Sequence, residues 1–114
     1  MNIQIFGTKK CSDTRKAERF FKERRIEFHF RDLNEKGISK GELDNIRRKF
    51  DLEDLIDKEG KQFKKRNLQY MTFKIEEELL EDALLFKTPI VRNGKEVTLG
   101  YDTDTWTDWI NAEG

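Results

Sequence analysis

The hydrophobic positions of this chain fall in short, separated groups, and their spacing changes along it. Residues 2–6 carry Ile3, Ile5 and Phe6 in a compact run closed by Gly7 and Thr8, which predicts a short buried strand. From Thr14 the spacing turns helical. Ala17, Phe20 and Phe21 stand at i, i+3 and i+4 on one face of a helix that fades near Arg25. Residues 27–31 (EFHFR) alternate polar and apolar and predict a second strand. Strand, helix and strand in this order make a βαβ unit, which favours a parallel pair with a right-handed crossover.

After a loop over 32–38, Ser39 and Glu42 have the spacing of a capping box, and Leu43, Ile46 and Phe50 continue a helical face. Residues 52–56 predict a short helical turn. Residues 58–66 are polar, basic and without period, and predict an irregular loop around Gly60. Thr72 is a candidate cap for a further helix with Ile75, Leu79, Leu80, Ala83 and Leu84 on its apolar face. Glu76, Glu77 and Glu78 then lie near its positive end. Pro89 to Arg92, the pair Asn93-Gly94, and Lys95 to Leu99 predict a β-hairpin, with Asn93 and Gly94 at both central positions of a type I′ turn. Asp102 is the candidate N-cap of a last helix that buries Trp106, Trp109 and Ile110.

Composition narrows what such a chain can be. At 114 residues, one domain is expected. Apolar residues are 35% and charged residues 40% of the chain, yet nine Phe, two Trp and two Tyr can fill a core short of aliphatics. Net charge is zero, which argues against a general nucleic-acid binder. No charged leader precedes an apolar stretch, and no apolar run reaches membrane length, so a cytoplasmic protein with no membrane partner is expected. The single cysteine excludes an intramolecular disulfide and a cysteine-rich metal site, and no bound cofactor or metal is expected.

That cysteine, Cys11, lies where the first strand gives way to the first helix. A thiol there meets free backbone N–H groups, the positive end of the helix dipole, and the charges of Lys9, Lys10, Arg15 and Lys16. All favour thiolate, the nucleophilic form. The alternative is a buried structural thiol, against which the turn position and basic flanks speak. Thr14 occupies the place of the second cysteine of a Cys-x-x-Cys pair. A mixed disulfide on Cys11 must therefore be resolved by an outside thiol such as glutathione or another protein. Arg15 is either a fork for an oxyanion held at the helix start or a solvated surface arginine. His29, the only histidine, sits between phenylalanines and reads as structural or exposed. The basic run 61–66 reads as a solvated loop or a contact for a phosphate or an acidic partner.

The order of these elements, with "KKCSDTRKA", a second strand ending in "RDL", and "KTPIVRNGKEVTLGYDTDTW", resembles the ArsC/Spx family of thioredoxin-fold proteins over nearly the whole chain. The resemblance implies an α/β, thioredoxin-like mixed sheet with an inserted helical subdomain at about 39–86. It also implies a cis Thr88-Pro89 peptide bond close to Cys11. In arsenate reductases of the glutaredoxin-linked type, the cysteine attacks arsenate and arginines clamp the oxyanion. Here Thr88 stands before the proline and Asp57 at the insertion position, so most of that clamp is missing. Spx-type regulators bind the C-terminal domain of the RNA polymerase α subunit, and they have a Cys-x-x-Cys switch, which this chain lacks. A third group, single-cysteine proteins held to be glutathione-linked thiol reductases, resembles it best. The resemblance thus implies a candidate thiol oxidoreductase with Cys11 as nucleophile, Arg15 supporting the thiolate, and a small thiol or oxyanion as substrate. Ser12, Asp13, Thr14, Thr88 and Pro89 would shape its groove, with Thr88 offering backbone hydrogen bonds to an extended ligand such as glutathione. Glutaredoxin or the RNA polymerase α subunit are the implied protein partners.

Overall fold

The computed structural model describes residues 1–113. Its elements follow the order β1 (Ile3–Gly7), α1 (Ser12–Glu23), β2 (Phe28–Asp32), α2 (Lys40–Arg47), α3 (Leu52–Leu55), α4 (Lys61–Lys65), α5 (Ile75–Glu81), β3 (Ile90–Asn93), β4 (Glu96–Leu99) and α6 (Thr103–Glu113). Contacts divide the chain into two compact units, one of residues 1–32 with 88–114 and one of residues 33–87.

The first unit is built on a four-stranded sheet of order β2-β1-β3-β4. β1 pairs parallel with β2, as a βαβ unit requires, and antiparallel with β3, which in turn pairs antiparallel with β4. This mixed sheet with its helices is thioredoxin-like. Because strand side chains alternate, Ile3, Ile5 and Val91 share one face and pack with Ala17, Phe20 and Phe21 of α1 and Trp106 and Trp109 of α6. Each such large side chain removed from water contributes about 1.5–3 kcal/mol. The buried stripe of α1 is Thr14, Ala17, Phe20 and Phe21, so the helix begins two residues before the periodicity of its apolar residues reveals it.

α6 starts as its sequence suggests. The Asp102 carboxylate accepts the Thr105 N–H at 3.1 Å and the Thr105 hydroxyl at 2.7 Å, satisfying donors the first turn leaves free. The β3–β4 turn differs by one residue from expectation. Asn93 pairs with Glu96, leaving Gly94 and Lys95 as the two-residue connection. Only Gly94 has positive φ, at 63°, the sign pattern of a turn with glycine first rather than of type I′. Asn93 stays in the strand, and its side-chain oxygen accepts the Asn2 N–H at 3.2 Å.

The second unit is helical. Ser39 and Glu42 form the expected reciprocal capping box of α2. α3 and α5 pack together, and the chain after α5 returns to α3: the Asp57 N–H reaches the Leu85 carbonyl at 2.8 Å, and the Lys87 N–H reaches the Leu55 carbonyl at 2.7 Å. Three expectations fail here. α5 ends at Glu81, so that Ala83 and Leu84 lie beyond it in a separate 3-10 turn. The basic stretch is not a loop throughout, because Lys61–Lys65 is helical, anchored by buried Phe63. One apolar residue in five leaves no period to read, while lysine and glutamine are good helix formers. Thr72 does not cap α5; extended Lys74 does, and Glu76, Glu77 and Glu78 fill the first turn as expected. Arg66 is held by the carboxylates of Glu78 and Asp82, the latter at 3.3 Å. No helix among the described residues is long and apolar enough to cross a membrane.

Candidate functional site at Cys11

Cys11 is the N-cap residue of α1, with extended backbone at φ −76° and ψ 117°. The loop after β1 delivers it there. The Cys11 N–H donates to the Thr8 carbonyl at 3.2 Å, and the Cys11 carbonyl accepts the first helical bond, from the Arg15 N–H at 3.1 Å. The side chain is half-buried, so the sulfur is sheltered but reachable. Its far neighbour in sequence is Thr88, whose carbonyl lies 3.7 Å from Sγ. The Thr88-Pro89 peptide bond is cis. Pro89 is buried, and its carbonyl accepts the Gly100 N–H at 2.8 Å, which ties the start of β3 to the end of β4.

The thiol is more acidic than an ordinary cysteine. Burial pushes its pKa up. The hydroxyls of Thr14 and Thr88 and the backbone N–H groups of Thr14 and Asp13 together pull it further down. Thr88 acts both ways: its carbonyl accepts from S–H and favours the thiol, while its hydroxyl favours the thiolate. The carbonyl contact is long and weak, so the donors prevail. Cations are not among these groups. Of the two causes expected, the free backbone N–H groups at the helix start are among those that act, joined by two threonine hydroxyls, while the charges of Lys9, Lys10, Arg15 and Lys16 are not.

The remaining candidate residues separate into two sets. Thr14 is fully buried, and its Oγ1 makes no well-aligned hydrogen bond, leaving a donor beside the sulfur without a settled acceptor. Asp13 contributes its N–H, while its carboxylate lies 4.0 Å from Lys16 Nζ. Arg15 points instead to the loop, donating to the Lys9 carbonyl at 2.9 Å, and so braces the segment that presents Cys11. Ser12 is exposed at the first helical position. His29 is exposed on β2 and lines a cavity of about 580 Å³ with Ile3, Ile26 and Phe28, at the far end of β1 from Cys11. Arg92 lies over the Phe6 ring, 5.6 Å from its centroid. Within the second unit, Asp57 accepts the Glu59 N–H at 3.3 Å. Among the described residues no group of three or more His, Cys, Asp or Glu is placed to hold a metal.

The role of Thr14 as a buried donor had a signal in the sequence. Thr14 precedes Ala17 by three and Phe21 by seven, so it continues the apolar stripe by one turn. The acidity of Cys11 gives a pH prediction. A group whose pKa is lowered is ionised earlier as pH rises, so iodoacetamide should alkylate Cys11 with a midpoint below that of an unstructured cysteine peptide measured alongside it. Thr14→Val, which keeps the shape and removes the hydroxyl, should raise that midpoint. An unchanged midpoint in the variant would assign the acidity to the Thr88 hydroxyl and the backbone donors.

Comparisons with known proteins show the family. The chain is 26% identical over 115 residues to the uncharacterized protein YusI of Bacillus subtilis, covering 95% of this chain and 98% of that one. It is 31% identical over 109 residues to the global transcriptional regulator Spx 2 of Oceanobacillus iheyensis, covering 91% and 80%. The crystal structure of an ArsC family related protein from Bacteroides fragilis superposes with a TM-score of 0.76 at 22% identity, covering 95% and 98%, a likeness of fold. The ArsC family profile matches residues 6–109, a span that takes in Cys11, the helical unit, Pro89 and most of the final helix, and the chain belongs to the ArsC family.

Proposed function

We propose that this protein is a single-cysteine, thiol-dependent reductase that works through a mixed disulfide, with glutathione or another small thiol as the external reductant. The observation that carries this reading is the half-exposed, acidified Cys11 at the start of α1, beside Thr88, in a chain with no second cysteine. A fitting substrate is a mixed disulfide between glutathione and another thiol. Cys11 thiolate attacks the glutathione sulfur, the S–S bond breaks, and the other thiol leaves as thiolate and takes a proton from water. Cys11 then holds glutathione in disulfide linkage. A second glutathione thiolate attacks that sulfur, oxidised glutathione departs, and Cys11 returns as thiolate. The two electrons that reduce the substrate come from the pair of glutathione sulfurs. Ser12, Asp13, Thr14, Thr88 and Pro89 line the reaction centre in this reading, and Thr88 pairs with the extended ligand. Such chemistry suits the reducing conditions of the cytoplasm.

The test is turnover of a small glutathione mixed disulfide in excess reduced glutathione, followed as oxidised glutathione formed. Cys11-dependent turnover is expected. A protein inert with glutathione and with a dithiol reductant would overturn the reading. Arsenate supplied with glutathione and glutaredoxin should give negligible arsenite. An arsenate anion needs cationic partners, yet the groups acting on Cys11 are neutral donors, Arg15 holds the Lys9 carbonyl and Arg66 holds two carboxylates. Robust, Cys11-dependent arsenite release would contradict this.

A second reading is favoured by the 31% identity to a global transcriptional regulator: a non-catalytic module that binds the RNA polymerase α subunit. A disulfide switch inside the chain is closed to it, since the Spx-type partner position holds Thr14. Co-purification with the C-terminal domain of that α subunit, with no turnover of any disulfide, would select this reading.

A further inference from the structure

The last residue of β1, Gly7, is buried, and the space its side chain would occupy is already taken by Thr14. A Cβ on Gly7 would lie 2.3 Å from Thr14 Oγ1, 2.6 Å from its Cγ2 and 3.0 Å from its Cβ. No real Cβ contact to a branched, buried side chain is that short. The backbone of Gly7 does not call for glycine, because it is strand backbone without positive φ. The absence of a side chain at position 7 therefore serves Thr14.

Thr14 has little freedom. It is 0% exposed, and as a β-branched residue in a helix it has few rotamers. Its hydroxyl ends in the notch over Gly7, buried and without a hydrogen-bond partner, beside the one thiol of the chain. An unpartnered buried hydroxyl is costly, at about 1–3 kcal/mol, unless an acceptor arrives. Thiolate on Cys11 is such an acceptor, and a charged acceptor gives a stronger bond than a neutral thiol.

We propose that Gly7 is a positioning residue for the Cys11 site: its bare Cα admits the Thr14 hydroxyl to the buried notch beside the sulfur, and so sets how reactive Cys11 is. The proposal deepens the thiol-reductase reading by naming what tunes its nucleophile, but alkylation tests it without any turnover. If the reductase reading fails, the alkylation result stands; if the alkylation result fails, turnover can still be measured.

The experiment is the pH profile of Cys11 alkylation in Gly7→Ala, Thr14→Ala and the double variant, each checked for a cooperative thermal transition. Gly7→Ala should push the Thr14 hydroxyl aside and slow alkylation at slightly acidic pH by roughly three- to tenfold, the scale of losing one donor to a charged sulfur. The profile should move to higher pH while its plateau persists. In the Thr14→Ala background the same Gly7 change should do almost nothing, since the hydroxyl is already gone and the notch has room. Two results would overturn the proposal: a folded Gly7→Ala with an unchanged profile, or an equal shift in both backgrounds. Where Gly7→Ala alone does not fold, Gly7→Ala/Thr14→Ser removes the 2.6 Å methyl clash, and its profile against Thr14→Ser decides in the same way.

Discussion

Replacing Cys11 by serine should abolish disulfide turnover and thiol labelling together, while leaving the fold intact. Serine has nearly the shape of cysteine, and the N-cap position of α1 accepts it readily, with a hydroxyl able to bond a free N–H of the first turn. Stability should therefore hold or rise slightly. The chemistry cannot survive, because a serine hydroxyl is not ionised near neutral pH and cannot form a disulfide, and the chain has no other thiol to substitute. The expected loss is complete within detection, in contrast with the partial losses expected for Thr14→Val or Thr88→Val. Those variants leave the sulfur in place and remove one donor each. Residual turnover in Cys11→Ser would mean that another group is the nucleophile.

The largest structural effect is expected at Trp106. Its side chain is fully buried and meets three rings, Phe20 at 5.2 Å, Phe21 at 5.3 Å and Tyr101 at 5.6 Å between centroids. Its indole N–H donates to the Thr98 hydroxyl at 2.8 Å, so β4 and α6 are joined by a bond that water does not reach. Trp106→Ala should destabilise the protein by about 3–5 kcal/mol, the range for deleting a large buried aromatic. That is a large share of the ~5–15 kcal/mol typical of a folded domain. Trp106→Phe keeps much of the packing and loses the hydrogen bond, which leaves the Thr98 hydroxyl buried and unpaired, at a cost of about 1–3 kcal/mol. Urea denaturation of the three proteins would check both values. A Trp106→Ala variant within about 1 kcal/mol of the parent would contradict this packing, since surface substitutions fall in that range.

The strands, the first helix and the last were legible because each carries a strong local signal. Residues 2–6 and 27–31 proved one residue early, which is the usual fate of strand ends when the pairing partner is unknown; the register of β1 with β2 fixes them at Ile3–Gly7 and Phe28–Asp32. The hairpin was legible as a hairpin, but its turn was not. Asn93-Gly94 suits a type I′ turn on local grounds, yet Asn93 is held in the strand by its pairing with Glu96 and its bond to Asn2, both long-range or cross-strand facts. α4 was invisible because only one of its five residues, buried Phe63, is apolar. At the site, Cys11 and its place at a helix start were readable from the change of period between Phe6 and Ala17. The source of its acidity was readable in part: the backbone amides of the helix start were expected, and the threonine hydroxyls were not. Basic flanks were conspicuous in the sequence, whereas the donors that matter are two backbone amides and two threonine hydroxyls, one of them 77 residues away. Sequence proximity misleads here because Arg15 has a closer use, the Lys9 carbonyl, and because lysine side chains at an exposed turn remain in water.

The central claim is that Cys11 is a nucleophilic thiol that accepts a disulfide partner and releases it to an outside thiol. The most direct measurement is intact mass after exposure to oxidised glutathione at neutral pH, followed by a second reading after reduced glutathione is added in excess. A single glutathione adduct that forms on the parent protein, is absent from Cys11→Ser and is removed by the added thiol is the predicted result. A parent protein that takes up no adduct while its fold is intact, or an adduct that the added thiol cannot release, would contradict it.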